Sequence, residues 1–421
     1  MKYQSFFFCL LFSVIVSAQS TDSIFLLRPS SVFDGEQMHA NWWVLVKGNK
    51  IAEAGEVNSF AIPANAKVID LKGKTLLPGL IEGHSHLFLH PYNETPWDEQ
   101  VLNESRAERI ARAVNHAKET LLAGFTTVRD LGTEGAMYDD VGLKQSIEKE
   151  IVPGPRMLVA TRAIVATGSY GPKASSADVD YPKGAAEADG VDALIKEVRT
   201  QIGKGADIIK VYADYRWGKN KEAQPSFSED ELRLVAQTAN SSGRQMVVHS
   251  VTAEGMRRSI MAGVATIEHG DFGTAEIFQL MKEKKVALCP TLAAGYFIEK
   301  YKGWKPGTSP EPDRILQKRK SFKAALDAGV TICMGGDVGV FSHGKNWMEM
   351  ELMVEYGMKP IDVLKSATSV NADVFELTDK VGRIKKGLLA DMIAVDINPV
   401  DDIKAFRNVS FVMKDGVIYK K

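Results

Sequence analysis

Leu77-Pro78-Gly79-Leu80-Ile81-Glu82-Gly83-His84-Ser85-His86 is an apolar run that closes on two histidines one residue apart. Alternate residues of a strand point to the same side, so His84 and His86 present both imidazoles to one face. Seven apolar runs follow, at 126–131, 157–164, 208–213, 246–251, 265–270, 286–292 and 332–337. Helical patterns at 106–123, 191–204, 228–241, 275–284 and 313–328 lie between several of them, and Ser228 with Glu231 has capping-box spacing. Eight strands separated by helices predict an α/β fold, a parallel (β/α)8 TIM barrel over residues 75–385.

Outward from that core the pattern changes. Residues 19–74 hold short β-branched runs at 42–46 and 67–71, broken by turns such as Lys47-Gly48-Asn49. After residue 385 strand-like runs return at 390–395, 410–414 and 417–419. The ends are expected to pair as a small β-sandwich of residues 19–74 and 386–421.

At the N-terminus, Lys2, an apolar stretch over 6–16 and the small residues of Val16-Ser17-Ala18 have the layout of a secretory signal peptide over 1–18. The mature protein is therefore expected to be secreted or periplasmic, with no stable membrane insertion, since no other apolar run reaches spanning length. Cleavage removes Cys9 and leaves Cys289 and Cys333, both in apolar runs and read as buried thiols. The chain of 421 residues has 52 basic and 53 acidic side chains, which gives no basic excess for nucleic acid and no acidic tail. Three cysteines exclude a disulfide-stapled fold.

Four more strand ends carry chemistry. Lys210 follows Ile208-Ile209, His249 follows Val247-Val248, His269 follows Ile267-Glu268, and Asp337 follows Gly335-Gly336. A lone strand histidine commonly satisfies a core hydrogen bond, and a lone strand-end aspartate commonly caps a helix. A buried lysine has no such ordinary role, because an unpaired ammonium is costly away from water. Together the six residues close strands 1, 4, 5, 6 and 8, at the end of a barrel where active sites lie, and they predict a metal site.

These residues resemble the amidohydrolase superfamily of metal-dependent hydrolases, from about residue 40 to the end of the chain. His84, His86, Lys210, His249, His269 and Asp337 match that family's ligand set one for one. Thr75-Leu76-Leu77-Pro78-Gly79-Leu80-Ile81 and Gly382-Arg383-Ile384-Lys385-Lys386-Gly387-Leu388-Leu389-Ala390-Asp391 match its flanks. Ile209-Lys210-Val211-Tyr212, Thr266-Ile267-Glu268-His269-Gly270 and Pro290-Thr291-Leu292 are similar to the imidazolonepropionase-like branch, which includes Xaa-Pro metallodipeptidases.

The resemblance implies two divalent cations, zinc by default although Mn, Co, Ni or Fe suit the same ligands. It also implies a CO2-derived carbamate on Lys210 that bridges them. His84 and His86 with Asp337 would hold one cation, and His249 with His269 the other. A plain ion pair between Lys210 and Asp337 is the alternative. The reaction implied is hydrolysis of a C–N amide bond by metal-activated hydroxide, with Asp337 as general base and then acid.

Substrate contacts are read at three places. Tyr212, two residues after Lys210, shares its inward face. Tyr170 lies in the loop Ala166-Thr167-Gly168-Ser169-Tyr170-Gly171-Pro172, where related dipeptidases often carry a histidine. His343 follows strand 8 in Phe341-Ser342-His343-Gly344. His116 is read as exposed, and Glu349, Glu351 and Glu355 as a solvated helix face. The expected substrate is a small molecule, a dipeptide or a small cyclic or N-acyl amide, and a homo-oligomer is compatible with this reading. A lactone or carbamate hydrolase and a non-catalytic metal-binding barrel are the rival functions.

Overall fold

The computed structural model describes residues 23–173, 176 and 178–421, so the leader read over 1–18 lies outside the described residues. Five strands come first: β1 (Ile24–Phe33), β2 (Met38–Ala40), β3 (Trp42–Lys47), β4 (Lys50–Glu56) and β5 (Lys67–Pro78). The middle of the chain carries β6 (Leu80–Ser85), β7 (Phe125–Asp130), β8 (Arg156–Val159), β9 (Ile164–Val165), β10 (Ala186–Glu187), β11 (Ile209–Tyr212), β12 (Asp214–Tyr215) and β13 (Gln224–Pro225). It continues with β14 (Met246–Ser250), β15 (Thr266–His269) and β16 (Ala287–Cys289). The chain closes with β17 (Met392–Val395), β18 (Val409–Lys414) and β19 (Val417–Lys420).

The two chain ends meet as expected. The β-sandwich read for them is one continuous hydrogen-bonded sheet, in the order β19-β18-β17-β5-β1-β3-β4 with β2 on β1. Strand β5 is the seam: it runs parallel to β1 and antiparallel to β17. Leu27, Val44, Leu76, Met392 and Phe411 form the buried cluster of this sheet.

The middle strands pair in parallel, β6-β7-β8 in one group and β9-β11-β14-β15-β16 in another. Backbone hydrogen bonds join the groups. Asp207 N–H donates to Val159 at 2.8 Å, and Cys333 N–H to Leu288 at 2.8 Å. Gly83 N–H donates to Met334 at 3.0 Å, and His86 N–H to Val338 at 2.8 Å, which closes the circuit. The five expected helices are present, and Ser228 and Glu231 make the reciprocal capping box.

Four runs differ from expectation, each for a local reason. The run 77–86 divides at Gly79: Pro78 pairs with Met392 in the end sheet, and β6 begins at Leu80. A Cβ on Gly79 would sit 2.1 Å from Thr126 Oγ1, so only glycine fits this crossing. The run 157–164 breaks after Val159, near Thr161 at φ +62°. The run 286–292 keeps three strand residues, because Pro290 has no N–H to donate and Thr291 adopts φ +50°. Helix Leu292–Tyr301 starts there instead. The run 332–337 forms no continuous strand, only bridges from Leu288 to Ile332 and from Ser85 to Val338. At Gly335 a Cβ would meet Cys289 Sγ at 2.4 Å and His84 N at 2.8 Å, so the chain approaches its neighbours too closely for a side chain.

Two surface readings are corrected. Glu349 is fully buried and accepts the N–H groups of Leu292 at 2.9 Å and Ala293 at 2.7 Å, at the start of helix Leu292–Tyr301. Glu351 and Glu355 pair with Arg407 and Arg319. His116 is half-buried, donating through Nδ1 to Leu87 at 2.8 Å. Cys289 and Cys333 are free and buried. Among the described residues, no helix is long and apolar enough to cross a membrane.

Candidate metal centre and its cavity

Four imidazoles form a chain at one end of the middle strands. Ring centroids step from His86 to His84 at 5.3 Å, to His269 at 5.2 Å, and on to His249 at 4.4 Å. Alternation on β6 puts Glu82, His84 and His86 on one face. Register does the same for β11 and β14: Lys210 stands beside Val247, and Tyr212 beside His249. His269 obeys a different rule. Glu268 is the partner of His249, so His269 would face outward, but its left-handed φ of +76° turns the ring back toward the centre. Asp337 is also left-handed, at φ +61°. Such conformations cost about 1–3 kcal/mol in residues with a Cβ and concentrate at functional sites.

Three of the four histidines are aimed by a second hydrogen bond. His84 Nδ1 lies 2.8 Å from Glu268 Oε2, His86 Nδ1 donates to Gly132 O at 2.8 Å, and His269 Nδ1 is 2.7 Å from Thr291 Oγ1. These contacts leave Nε2 of His84 and His86 facing Asp337 Oδ1, at 3.6 and 3.4 Å. The three ligand atoms lie within 4.8 Å of one another, a spacing that suits a single cation. Burial lowers His84 to about 4 and His249 to about 3, and pushes His269 well below the ordinary range; the Lys210 charge works the same way. Neutral rings keep the lone pair that a metal needs. Burial also disfavours charge on His86, but its hydrogen bond to Asp337 and the Asp337 charge outweigh that and raise it to about 9. Burial opposes ionisation of Asp337, yet His84, His86 and Lys210 hold its carboxyl well below the usual range.

Lys210 is fully buried, and its Nζ has no hydrogen-bond partner among the described residues. The ion pair to Asp337 considered above is therefore not formed. Burial lowers the amine to about 8, against the pull of Glu268 and Asp337. An orphaned buried amine beside neutral imidazoles and an ionised carboxylate fits a cation site that the lysine completes.

A cavity of about 500 Å³ opens above this cluster. Tyr170 and Tyr212 both line it, as read from the sequence. His343 does not: it is buried, stacked on His116 at 4.2 Å, and its Nε2 donates to Leu89 O at 3.0 Å.

Two residues of the site were not singled out from the sequence. Glu268 receives Arg129 at 3.0 Å as well as His84, so one carboxylate neutralises a buried guanidinium and fixes a ligand tautomer. Alternation on β15 places it inward, which was readable but overshadowed by His269. Glu134 accepts from Tyr170 and Tyr212, and as a loop residue beyond β7 it had no pattern to mark it.

The chain is similar to known proteins over most of its length. Residues 75–419 match the model of the amidohydrolase family. An ochratoxinase of Aspergillus niger is 29% identical over 376 residues, covering 82% of this chain and 75% of that one. An imidazolonepropionase of Streptomyces griseus subsp. griseus is 23% identical, covering 84% and 85%. The crystal structure of a Xaa-Pro dipeptidase with methionine in its active site superposes with a TM-score of 0.84 at 33% identity, over 95% of this chain and 100% of that one. With its family model spanning the circuit of strands and all six converging side chains, the chain belongs to the amidohydrolase family, on the branch of its imidazolonepropionase and Xaa-Pro dipeptidase relatives, and is a hydrolase of carbon–nitrogen bonds.

Proposed function

We propose that the protein is a binuclear metallohydrolase of amide bonds in dipeptides or N-acyl amino acids, built on a (β/α)8 barrel at 75–385 with a small β-domain from both chain ends. The observation that carries this reading is the convergence of His84, His86 and Asp337 beside the unpaired Lys210 at the floor of the cavity. His84, His86 and Asp337 would hold one divalent cation and His249 with His269 a second. Lys210 as its carbamate would contribute an oxygen to each. The neutral amine adds CO2 and releases one proton, and burial near 8 keeps part of it neutral at physiological pH. Zinc is the default for these donors. Such cations lower the pKa of water and polarise a carbonyl.

The protein's own groups do the rest. Asp337 is ionised and faces the cavity, so it takes the proton of the attacking water and passes it to the departing nitrogen. Tyr212 stays protonated, because burial raises its phenol well above the ordinary value, and its O–H is held by Glu134 beside the centre. Arg216, Lys221 and Arg314 line the mouth and form no ion pair among the described residues, which suits a substrate carboxylate. A signal peptide over 1–18, as the sequence pattern suggests, would place this action outside the cytoplasm. Incubating metal-reconstituted protein with a library of dipeptides and N-acyl amino acids tests the reading. Release of free amino acids is expected, and turnover of lactones alone would overturn it.

A further inference from the structure

Glu134 lies just past β7 at φ +48°, is 2% exposed, and lines the cavity. Its Oε2 accepts Tyr170 O–H at 2.6 Å and Trp97 Nε1–H at 3.0 Å, and its Oε1 accepts Tyr212 O–H at 3.1 Å. A carboxylate offers about four acceptor positions, so one is left over. All three donors are neutral, and no ion pair reaches the carboxylate among the described residues. Arg109 lies close, but it donates only to the backbone oxygens of Phe88, Thr133 and Glu134. Arg109 and His86 act on the carboxylate only through space, and a buried carboxylate without a direct ion pair favours a bound group that supplies one.

The surroundings suit a cation. Tyr170 packs edge-on to Tyr212 and to Tyr215, each at 4.8 Å, and all three rings line the cavity. Aromatic faces attract ammonium groups. The carboxylate also stands close to the candidate metal centre: a Cβ built on Gly132 would be 3.5 Å from Glu134 Oε1 and 3.7 Å from His86 Cε1. The α-nitrogen of a peptide is two bonds from its first carbonyl carbon. An ammonium at Glu134 therefore leaves that carbonyl beside the His84 and His86 cluster.

We propose that Glu134 with Tyr170, Tyr212 and Tyr215 is the site for the free ammonium of the substrate, making the enzyme selective for dipeptides over N-acyl amino acids. The proposal rests on the amide-hydrolase reading and deepens it. The metal-reconstituted full-length protein is compared on Ala-Leu and N-acetyl-Ala-Leu. The free dipeptide should have kcat/KM higher by about 10- to 100-fold, the scale of one charge-assisted hydrogen bond. Glu134→Gln should lower the dipeptide value alone and close that gap. Equal values in the wild type overturn the proposal. A parallel fall of both substrates in the variant also overturns it and leaves Glu134 as a positioning residue for Trp97 and the tyrosines. The wild-type comparison stands even where the variant does not fold. Calorimetry with the ketomethylene isostere of Ala-Leu, free or N-acetylated, separates the two readings. If neither peptide is cleaved, the hydrolase reading fails, while tighter binding of the free isostere still supports the ammonium site. Equal or absent binding of both isosteres overturns it.

Discussion

Lys210 has an amine with no hydrogen-bond partner among the described residues, on a strand paired with the one that carries His249. If it acts as a carbamate, it supplies oxygen ligands and not a positive charge. Lys210→Ala should then lose metal and activity together, and small carboxylic acids should restore part of both. Lys210→Arg keeps the charge and should be equally inactive; full activity in that variant would show an ion-pairing role. Asp337→Asn keeps an oxygen beside His84 and His86 but cannot take a proton. Measured at verified metal occupancy, its kcat should fall by about 10²–10⁴-fold, and near-normal turnover would remove Asp337 from proton transfer. At this scale the sequence was legible where strand alternation applies. His84, His86, Lys210 and His249 share inward positions at the ends of three of the parallel strands, and the structure brings them together. His269 reaches the same place only through its positive φ, which no pattern in Thr266-Ile267-Glu268-His269 announces. Glu134 and His343 lie on loops, where side-chain direction follows turn geometry, so one was missed and the other misplaced.

Among the elements, the segment between β16 and β6 shows how the site constrains its scaffold. Its two glycines let the backbone pass against β6, with Gly336 N–H donating to Glu82 at 2.8 Å and Asp337 N–H to His84 O at 2.8 Å. Gly335→Ala should force Cys289 and β6 apart. Overpacking of this kind costs about 1–3 kcal/mol, so a lower denaturation midpoint is expected, accompanied by weaker metal retention because His84 moves with its backbone. Unchanged stability and metal content would mean that the segment can shift freely. The same close packing explains why the eighth apolar run read as a strand and folds as two bridges. Long amphipathic helices were legible from their period. Helix Leu292–Tyr301 was not, because it is apolar on most sides and its start is satisfied from a distance by Glu349. Burial pushes that carboxyl up to about 8. Helices Asp139–Glu148 and Ala253–Ala262 were missed although each is as long as the legible Ala275–Lys284.

For the molecule as a whole, Arg156 ties the middle strands to the sheet made from both chain ends. It leaves β8 to meet Asp391 and Asp415, each at 2.6 Å, and Asp391 is almost fully buried. Arg156→Ala strands that carboxylate, a loss of about 3–5 kcal/mol for a buried pair. Chemical denaturation should show the lower stability, and a wild-type midpoint would mean that the end sheet is held by its apolar contacts alone. Joining of the chain ends was legible because strand-like runs appear on both sides of the helical region. Their merger into one sheet was not, since it depends on β5 being long enough to pair with β1 and β17 along its length. On the proposed reading the six converging side chains hold two cations, since they exceed the four-ligand demand of a single zinc. Elemental analysis of protein reconstituted with metal and CO2, then freed of loose ions, distinguishes two cations from one. Two equivalents of divalent metal per chain are expected, falling to one or fewer in Lys210→Ala, and saturation of the wild type at one equivalent would contradict the binuclear site.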